Sequence, residues 1–310
     1  MPVRTQDENE SPKRILILGA NGQVGRELMR VFTSYPAEWQ VTGTDRSRAD
    51  LTNLQGLRQL VRELAPVAIV NAAAYTAVDR AEQQRELCEA VNATAPGALA
   101  EEAARLRSLL VHYSTDYVFD GSKPAPWLET DATGPLNHYG ATKLAGEEAI
   151  ARVGGRFLIL RTSWVYGPHG RNFLRAMLRL GAERDQLRVV DDQRGAPTTS
   201  MALAEATLAA VQTALRAGEQ KSDPSGVYHM SCGGQTSWCG FAQAIFEGAC
   251  ERLGHVPEVV GIPASEYPTP AERPAFSVLD NGKLAARLGI RLPAWEQELH
   301  RTLRLLGLRA

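Results

Sequence analysis

A tyrosine and a lysine stand four residues apart in Tyr139-Gly140-Ala141-Thr142-Lys143, a spacing that puts both side chains on one face of a helix. A free phenol titrates near pH ~10 and is a poor acid or base at neutrality. A nearby ammonium favours phenolate, so Lys143 is expected to pull the tyrosine toward the working range of general acid–base chemistry. A second segment, Ser114-Thr115-Asp116-Tyr117, closes the apolar run of residues 109–113. At a strand end, the Thr115 hydroxyl can aim at the same substrate oxygen. Hydroxyl, phenol and ammonium together make a device for delivering a proton to a reduced carbonyl, and such a device needs a source of hydride.

The N-terminal region reads as that source. Arg14-Ile15-Leu16-Ile17-Leu18 is a short buried strand, Gly19-Ala20-Asn21-Gly22-Gln23-Val24-Gly25 follows it, and residues 26–32 continue as a helix. Glycines at such a turn allow backbone N–H groups to approach a pyrophosphate at the helix N-terminus. Gly19, Asn21, Gly22, Gln23, Val24 and Gly25 are therefore candidate dinucleotide contacts. The spacing is G-x-x-G-x-x-G, and a turn of this kind also serves plain packing; the flanking strand and helix favour nucleotide binding. The next strand, residues 39–44, ends at Asp45, 20 residues past Gly25. A carboxylate there accepts hydrogen bonds from an adenosine ribose, which favours NAD. Arg46 and Arg48 follow it, and either can pair with a 2′-phosphate and admit NADP, so the choice between NADH and NADPH stays open at this point.

Elements of the right type surround these residues. Apolar strands at residues 15–18, 41–44, 67–70, 109–113, 157–160 and 187–190 alternate with helical patterns at residues 54–64, 80–92 and 96–105. That alternation predicts an α/β fold, a doubly wound parallel Rossmann-type sheet with helices on both faces. Nucleotide sites in such sheets lie beyond the carboxyl ends of the strands, where Gly19, Asp45, Asn71, Ala72, Ala73, Ala74 and Thr115 fall. The three alanines are small enough to let a cofactor lie against the strand end, although tight helix–sheet packing accounts for each of them as well. After Leu160 the loops lengthen and Pro and Gly cluster. The expected division is a flexible tail at residues 1–13, a dinucleotide-binding domain at 14–165, and a mainly substrate-binding domain at 166–310, partly interleaved with the first. Helices are expected at residues 237–253 and 295–306.

Bulk properties exclude other classes. The chain has 310 residues, 44% of them hydrophobic, with a formal net charge of -1. That balance argues against nucleic acid or an anionic membrane as a partner, and no apolar run reaches the ~20 residues needed to span a bilayer. The polar N-terminal residues carry no apolar leader segment. Cys88, Cys232, Cys239 and Cys250 lie far apart, so neither zinc spacing nor a disulfide framework is expected, and reduced cytoplasmic thiols are the better reading. His112 and His138 read as ordinary strand-end and loop residues.

Taken together, several segments carry a narrower signal: Asn71-Ala-Ala-Ala-Tyr-Thr-Ala-Val-Asp79, Ser114-Thr-Asp-Tyr-Val-Phe-Asp-Gly121, Pro135-Leu-Asn-His-Tyr-Gly-Ala-Thr-Lys143, Arg161-Thr-Ser-Trp-Val-Tyr-Gly167, Asp192-Gln-Arg-Gly-Ala-Pro-Thr198 and Arg273-Pro274 with Ser277. With them the chain resembles the extended short-chain dehydrogenase/reductases and, within these, the dTDP-4-dehydrorhamnose reductases, over residues 14–306. The Tyr-x-x-x-Lys pair alone marks only the superfamily.

The resemblance implies hydride transfer from NADPH, with NADH as the alternative, to C4 of a 4-keto-6-deoxyhexose on a dTDP carrier. The product would be a cytoplasmic precursor of cell-surface polysaccharide, made by a monomer or a homodimer. Tyr139 would protonate the forming alkoxide, Lys143 would hold the nicotinamide ribose, and Thr115 would bond the carbonyl oxygen. Thr76, Val78, Asp116, Tyr117 and Trp164 would line the sugar pocket, while Asp50 and Leu51 would flank the adenine. Without the family match, Trp164 reads as core and Asp116 as a turn cap. Arg194, following Asp191 and Asp192 in a loop, is either a surface charge or a partner for the nucleotide diphosphate.

Related 4,6-dehydratases carry an Asp-Glu pair after the equivalent threonine; here Thr115 is followed by Asp116-Tyr117, which disfavours dehydration. A 4-epimerase reuses the same triad with retained NAD, and a regulatory subunit of methionine adenosyltransferase shares the fold without the chemistry. Trp164 and residues 192–198 favour the reductase over the epimerase, and Trp164 favours it over the subunit. Some members of the family use magnesium through C-terminal glutamates. Glu296 and Glu298 sit two apart in a helical pattern and so point to different faces; no dedicated metal site is expected.

Overall fold

Strands buried on both faces explain why the apolar runs are nearly continuous. The computed structural model describes residues 12–219, 223–250 and 254–308. Residues 1–11 of the expected tail and residues 251–253 of the expected helix 237–253 lie outside the described residues. The first strand, β1 (Lys13–Leu18), begins at Lys13, inside the expected tail.

The chain continues through α1 (Gln23–Thr33), β2 (Trp39–Thr44), α2 (Leu54–Leu64) and β3 (Ala68–Asn71). Two short helices, α3 (Val78–Ala81) and α4 (Arg85–Glu89), lead through a π-helical stretch (Ala90–Thr94) into α5 (Ala95–Leu106). Then come β4 (Leu109–Thr115), α6 (His138–Val153), β5 (Arg156–Thr162), β6 (Val165–Tyr166), α7 (Phe173–Glu183), β7 (Gln186–Val190), β8 (Arg194–Gly195), β9 (Thr198–Thr199) and α8 (Ser200–Glu219). The last part holds β10 (Gly226–His229), β11 (Thr236–Ser237), α9 (Trp238–Glu247), β12 (Glu258–Ile262), α10 (Gly282–Leu288) and α11 (Trp295–Leu305).

Six strands form one sheet in the order β10-β5-β4-β3-β1-β2, with every described pairing parallel. The chain leaves β1 for β2 on one side and crosses back to β3 on the other. The point between β1 and β3 is therefore the topological switch where such sheets bind ligands. Successive residues of each strand serve opposite faces. Ile15, Ile17, Val70 and Val111 join α1, α8 and α10 in one core, through Leu28, Phe32, Leu203, Val211 and Leu284. Leu16, Leu18, Ile69 and Leu110 join α2, α5 and α6 in another, through Val61, Leu99 and Ile150.

Two expectations change. Residues 187–190 do form a strand, but β7 pairs with β12 in a separate two-stranded sheet, and the sixth place in the large sheet belongs to β10. An apolar run marks a strand without naming its neighbour. The helix expected over 80–92 is broken after Ala81 and re-forms as α4 and the π-helical stretch. There Asn92 turns inward and clamps the backbone of Tyr75, accepting from its N–H at 2.9 Å and donating to its carbonyl at 3.0 Å. π-Helical stretches of this kind frequently mark functional sites. A further apolar cluster gathers Tyr166, Leu174, Phe241, Ile245, Phe246, Trp295 and Leu303 around α7, α9 and α11. No helix among the described residues is long and apolar enough to cross a membrane.

Candidate active site

The carboxyl ends of β1 to β5 open into one cavity of about 920 Å³, where Gly19, Asp45, Ala72, Thr115 and Thr162 all reach the wall. Tyr139 and Lys143 enter from the first turns of α6. Asn137 caps that helix by accepting the Gly140 N–H at 2.8 Å, and its own amide donates to the Glu272 carbonyl at 2.7 Å. A Cβ at Gly140 would lie 2.2 Å from the Tyr117 carbonyl oxygen. Glycine there lets the helix start against the turn that follows β4. The approach sets the Tyr139 ring edge-on to Tyr117, with centroids 6.0 Å apart, and brings the phenol to Thr115.

The electrostatics of the triad differ from the expectation in one respect. Burial pushes the Tyr139 phenol above its usual value, opposed by hydrogen bonding with Thr115. Lys143 does not bring it down, because Nζ turns toward β4. It donates to the Tyr113 carbonyl at 2.6 Å and lies 3.1 Å from His112 Nε2. Burial lowers Lys143 itself to about 8, although Glu147 one turn along the helix works against this. Glu147 is held in turn by a buried ion pair with Arg161 at 2.6 Å and by the Ser114 hydroxyl at 2.5 Å. Burial also raises Asp116 to about 7, against hydrogen bonds from Ser277 and Thr115.

At the other end of the cavity, Asn21, Gly22, Gln23 and Val24 line the start of α1, and Ala72, Ala73 and Ala74 line the end of β3. Asp45 accepts from Asn21 Nδ2 at 2.7 Å and from the Ser47 N–H and hydroxyl at 3.0 and 2.6 Å. The bonds from Ser47, its hydroxyl first, hold the carboxyl below the usual range. Arg46 is exposed on the cavity wall and pairs with Asp50 at 3.4 Å. Asp50 and Leu51 reach the same wall, whereas Arg48 does not. Gly25 also stays off the wall: a Cβ there would lie 2.0 Å from the Gly19 carbonyl oxygen, so its part is to close the turn.

Thr76, Val78, Asp116, Tyr117 and Trp164 line the remaining part, beyond the triad. Arg273 ties the chain over α3 by pairing with Asp79 at 3.0 Å. Trp164 is half-buried on the wall and belongs to none of the apolar clusters, so it is not core. Its backbone is left-handed at φ 45°, an uncommon conformation for a bulky residue. The indole lies against Gly195, where a Cβ would come within 2.4 Å of the ring, and stacks on Trp238 with centroids 3.6 Å apart and planes 7° from parallel. Arg194 is exposed and lies outside the cavity wall. Glu298 is buried, accepting from the Thr199 hydroxyl at 2.7 Å, while Glu296 is exposed. Among the described residues, no group of three His, Cys, Asp or Glu is arranged to hold a metal ion.

The family model described as "RmlD substrate binding domain" matches residues 13–307. The dTDP-4-dehydrorhamnose reductase of Burkholderia thailandensis is 49% identical over 286 residues, covering 91% of this chain and 95% of that protein. The chain belongs to the dTDP-4-dehydrorhamnose reductase family. The Escherichia coli K12 reductase is 43% identical over 295 residues, covering 93% of this chain and 96% of that one. Among solved structures, a Bacillus anthracis dTDP-4-dehydrorhamnose reductase in complex with NADP matches with a TM-score of 0.87 at 34% identity, over 95% of this chain and 100% of that chain. A Brucella ovis UDP-glucose 4-epimerase, 19% identical with a TM-score of 0.78 over 96% of this chain and 99% of that one, shares the fold alone.

Several cavity residues escaped the reading of the sequence, Trp238 and Arg171 among them. Trp238 opens α9, and the Ser237 that caps this helix at 2.9 Å was the one local sign of its position. Arg171 reaches the wall beside Gln23 from the loop before α7, a segment with no motif of its own. His112 was read as an ordinary strand-end residue; it is fully buried under Lys143.

Proposed function

We propose that this protein reduces the C4 keto group of dTDP-4-dehydro-L-rhamnose with NADPH, giving dTDP-L-rhamnose, and does so as a monomer or homodimer. The observation that carries this reading is the meeting of Tyr139 and Thr115 at the end of β4, with Ala72–Ala74 on one side of the cavity and Trp164 on the other. The fit to a dinucleotide rests on the glycine-bearing turn at the start of α1, the alanine strand end and the cavity-wall Arg46. Asn21, Gly22, Gln23 and Val24 would hold the pyrophosphate, and Asp50 and Leu51 would flank the adenine. Lys143 would hold the nicotinamide ribose. When bound, NADPH supplies the hydride.

Thr115 and Tyr139 bond the keto oxygen, placing two donors where negative charge develops. Tyr139 then passes its proton to that oxygen. Because burial raises the phenol, it stays protonated through neutrality and serves as an acid with no preceding ionisation step. Thr76, Val78, Asp116, Tyr117 and Trp164 shape the sugar end. Arg194 would serve the diphosphate only if substrate brings its loop inward. The deciding experiment mixes purified protein, NADPH and dTDP-4-dehydro-L-rhamnose and follows the nicotinamide absorbance. Oxidation of NADPH with formation of dTDP-L-rhamnose is expected. No oxidation with any 4-keto sugar nucleotide would return the chain to a binding role.

Arg46, on the cavity wall next to Asp45, suits a 2′-phosphate. Its replacement by alanine is expected to raise KM for NADPH about tenfold or more and leave NADH nearly unchanged, since a charge-assisted hydrogen bond contributes roughly 1.5–3 kcal/mol. Asp45→Ala is expected to weaken NADH more than NADPH. Steady-state kinetics with both cofactors checks this, and a double variant with an unaltered NADH:NADPH ratio would place selection outside this loop.

A further inference from the structure

From Lys143 a hydrogen-bonded chain runs beneath the cavity through residues that the chemistry above leaves unused. Lys143 Nζ lies 3.1 Å from His112 Nε2, and His112 Nδ1 lies 3.1 Å from Asn71 Nδ2. Asn71 Oδ1 accepts the N–H of Ala73 at 3.2 Å. Lys143, His112 and Asn71 are 2%, 1% and 1% exposed, so no solvent can repair a mismatch among them.

Counting donors along this chain gives a constraint. With its oxygen committed to Ala73, Asn71 presents its NH₂ to His112, so Nδ1 must accept. A neutral imidazole carries a single N–H, which then sits on Nε2 and points at Lys143. An amine has a lone pair to receive it, whereas an ammonium has three donors and none to accept. The arrangement in the structure is thus the one that suits an uncharged Lys143. For the ammonium to donate to Nε2, the imidazole proton must move to Nδ1 and the Asn71 amide must rotate to accept it. Ala73 N–H then faces an NH₂ group and loses its bond.

We infer that His112 and Asn71 form a tautomer switch that couples the charge of Lys143 to the backbone of Ala73 at the cofactor end of β3. The coupling stands on the hydrogen-bond geometry, and only its kinetic consequence rests on the function proposed above. The neighbours of Lys143 are few. Glu147 on its own helix and Cys88 from α4 favour the ammonium, while from β4 it meets His112 and the Tyr113 carbonyl. Asn71 from β3 is uncharged, and Asp116 acts on the tyrosines instead. Burial and the adjacent lysine hold His112 well below its ordinary range, so the ring changes tautomer without taking up a proton. His112 is accordingly a positioning residue for Lys143.

Nitrogen-15 NMR of the full chain labelled at histidine and lysine tests the switch without any substitution. As pH rises through the midpoint of Lys143, near its lowered value of about 8, the His112 ring is expected to pass from Nδ1–H to Nε2–H with the same midpoint. A ring that keeps one tautomer on both sides of the lysine midpoint overturns the inference. His112→Gln, whose amide oxygen can accept from the ammonium, and Asn71→Leu, which removes the donor facing Nδ1, should each move the lysine midpoint up by about one unit. Unmoved midpoints in both folded variants would equally overturn it. The alkaline fall of kcat/KM for NADPH should follow the lysine midpoint in the wild type. A tautomer change seen by NMR with no such fall upholds the switch and overturns the cofactor role of Lys143.

Discussion

Tyr139→Phe is expected to lower turnover by about 10²–10⁴-fold, the usual contribution of a positioned general acid, while NADPH affinity stays near wild type. The phenyl ring keeps the edge contact with Tyr117 and its place at the start of α6, so the substitution removes one hydroxyl and little else. The direction of the phenol's shift also fixes the pH behaviour. A raised value means that Tyr139 holds its proton from acid pH through neutrality and beyond the usual phenol range. No loss of activity from tyrosine ionisation should therefore appear near neutrality. Lys143, whose charge disappears as pH rises through about 8, should give an alkaline loss in kcat/KM, because kcat/KM reports groups of the free enzyme. Single-turnover oxidation of NADPH by the variant separates the chemical step from binding. Retention of more than roughly a tenth of the wild-type rate would mean the proton comes from elsewhere.

The elements that carry this chemistry were largely legible because their signals are local. Residues 15–18 and 109–113 read as buried strands, since a parallel sheet covered on both faces needs apolar residues at every position. The Tyr139–Lys143 spacing placed both residues on one helix, and Asn137 caps it where the pattern begins. What stayed hidden depends on partners far along the chain. Nothing in Gln186–Val190 tells that its neighbour is Glu258–Ile262 instead of β5. Neither the break after Ala81 nor the inward turn of Asn92, whose amide reaches back 17 residues to Tyr75, has a local signal. The effect of Lys143 on the phenol was misjudged for the same reason. Helical spacing brings two side chains to one face, but a long lysine stem goes where its donors are satisfied, and here the Tyr113 carbonyl outcompetes the phenol. His112 and Asn71 lie adjacent through the β3–β4 register, where Asn71 pairs with His112, a relation that neither residue carries alone.

Trp164→Ala should raise KM for the keto sugar about tenfold or more, equivalent to roughly 1.4 kcal/mol, with NADPH binding almost untouched and only a small fall in melting temperature. Losing a buried core tryptophan typically costs ~3–5 kcal/mol, a large part of a usual margin of ~5–15 kcal/mol. Trp164 lacks that environment. It is half-buried, stands on the cavity wall and contributes to stability chiefly through its stack on Trp238, an aromatic pairing worth about 0.5–1.5 kcal/mol beyond area burial. The left-handed backbone at φ 45° strains alanine as it does tryptophan, so it neither adds to nor offsets this loss. The indole and its partner instead present an apolar wall beyond Thr115, suited to the hydrocarbon face and methyl group of a deoxysugar. Trp238→Ala should then shift KM in the same direction, and the two substitutions together should cost less than the sum of each, because residues in contact do not act independently. Thermal melts and steady-state kinetics on the three variants decide the matter. A large drop in melting temperature with normal sugar affinity would make the pair a structural support and leave recognition of the sugar to Thr76, Val78, Asp116 and Tyr117.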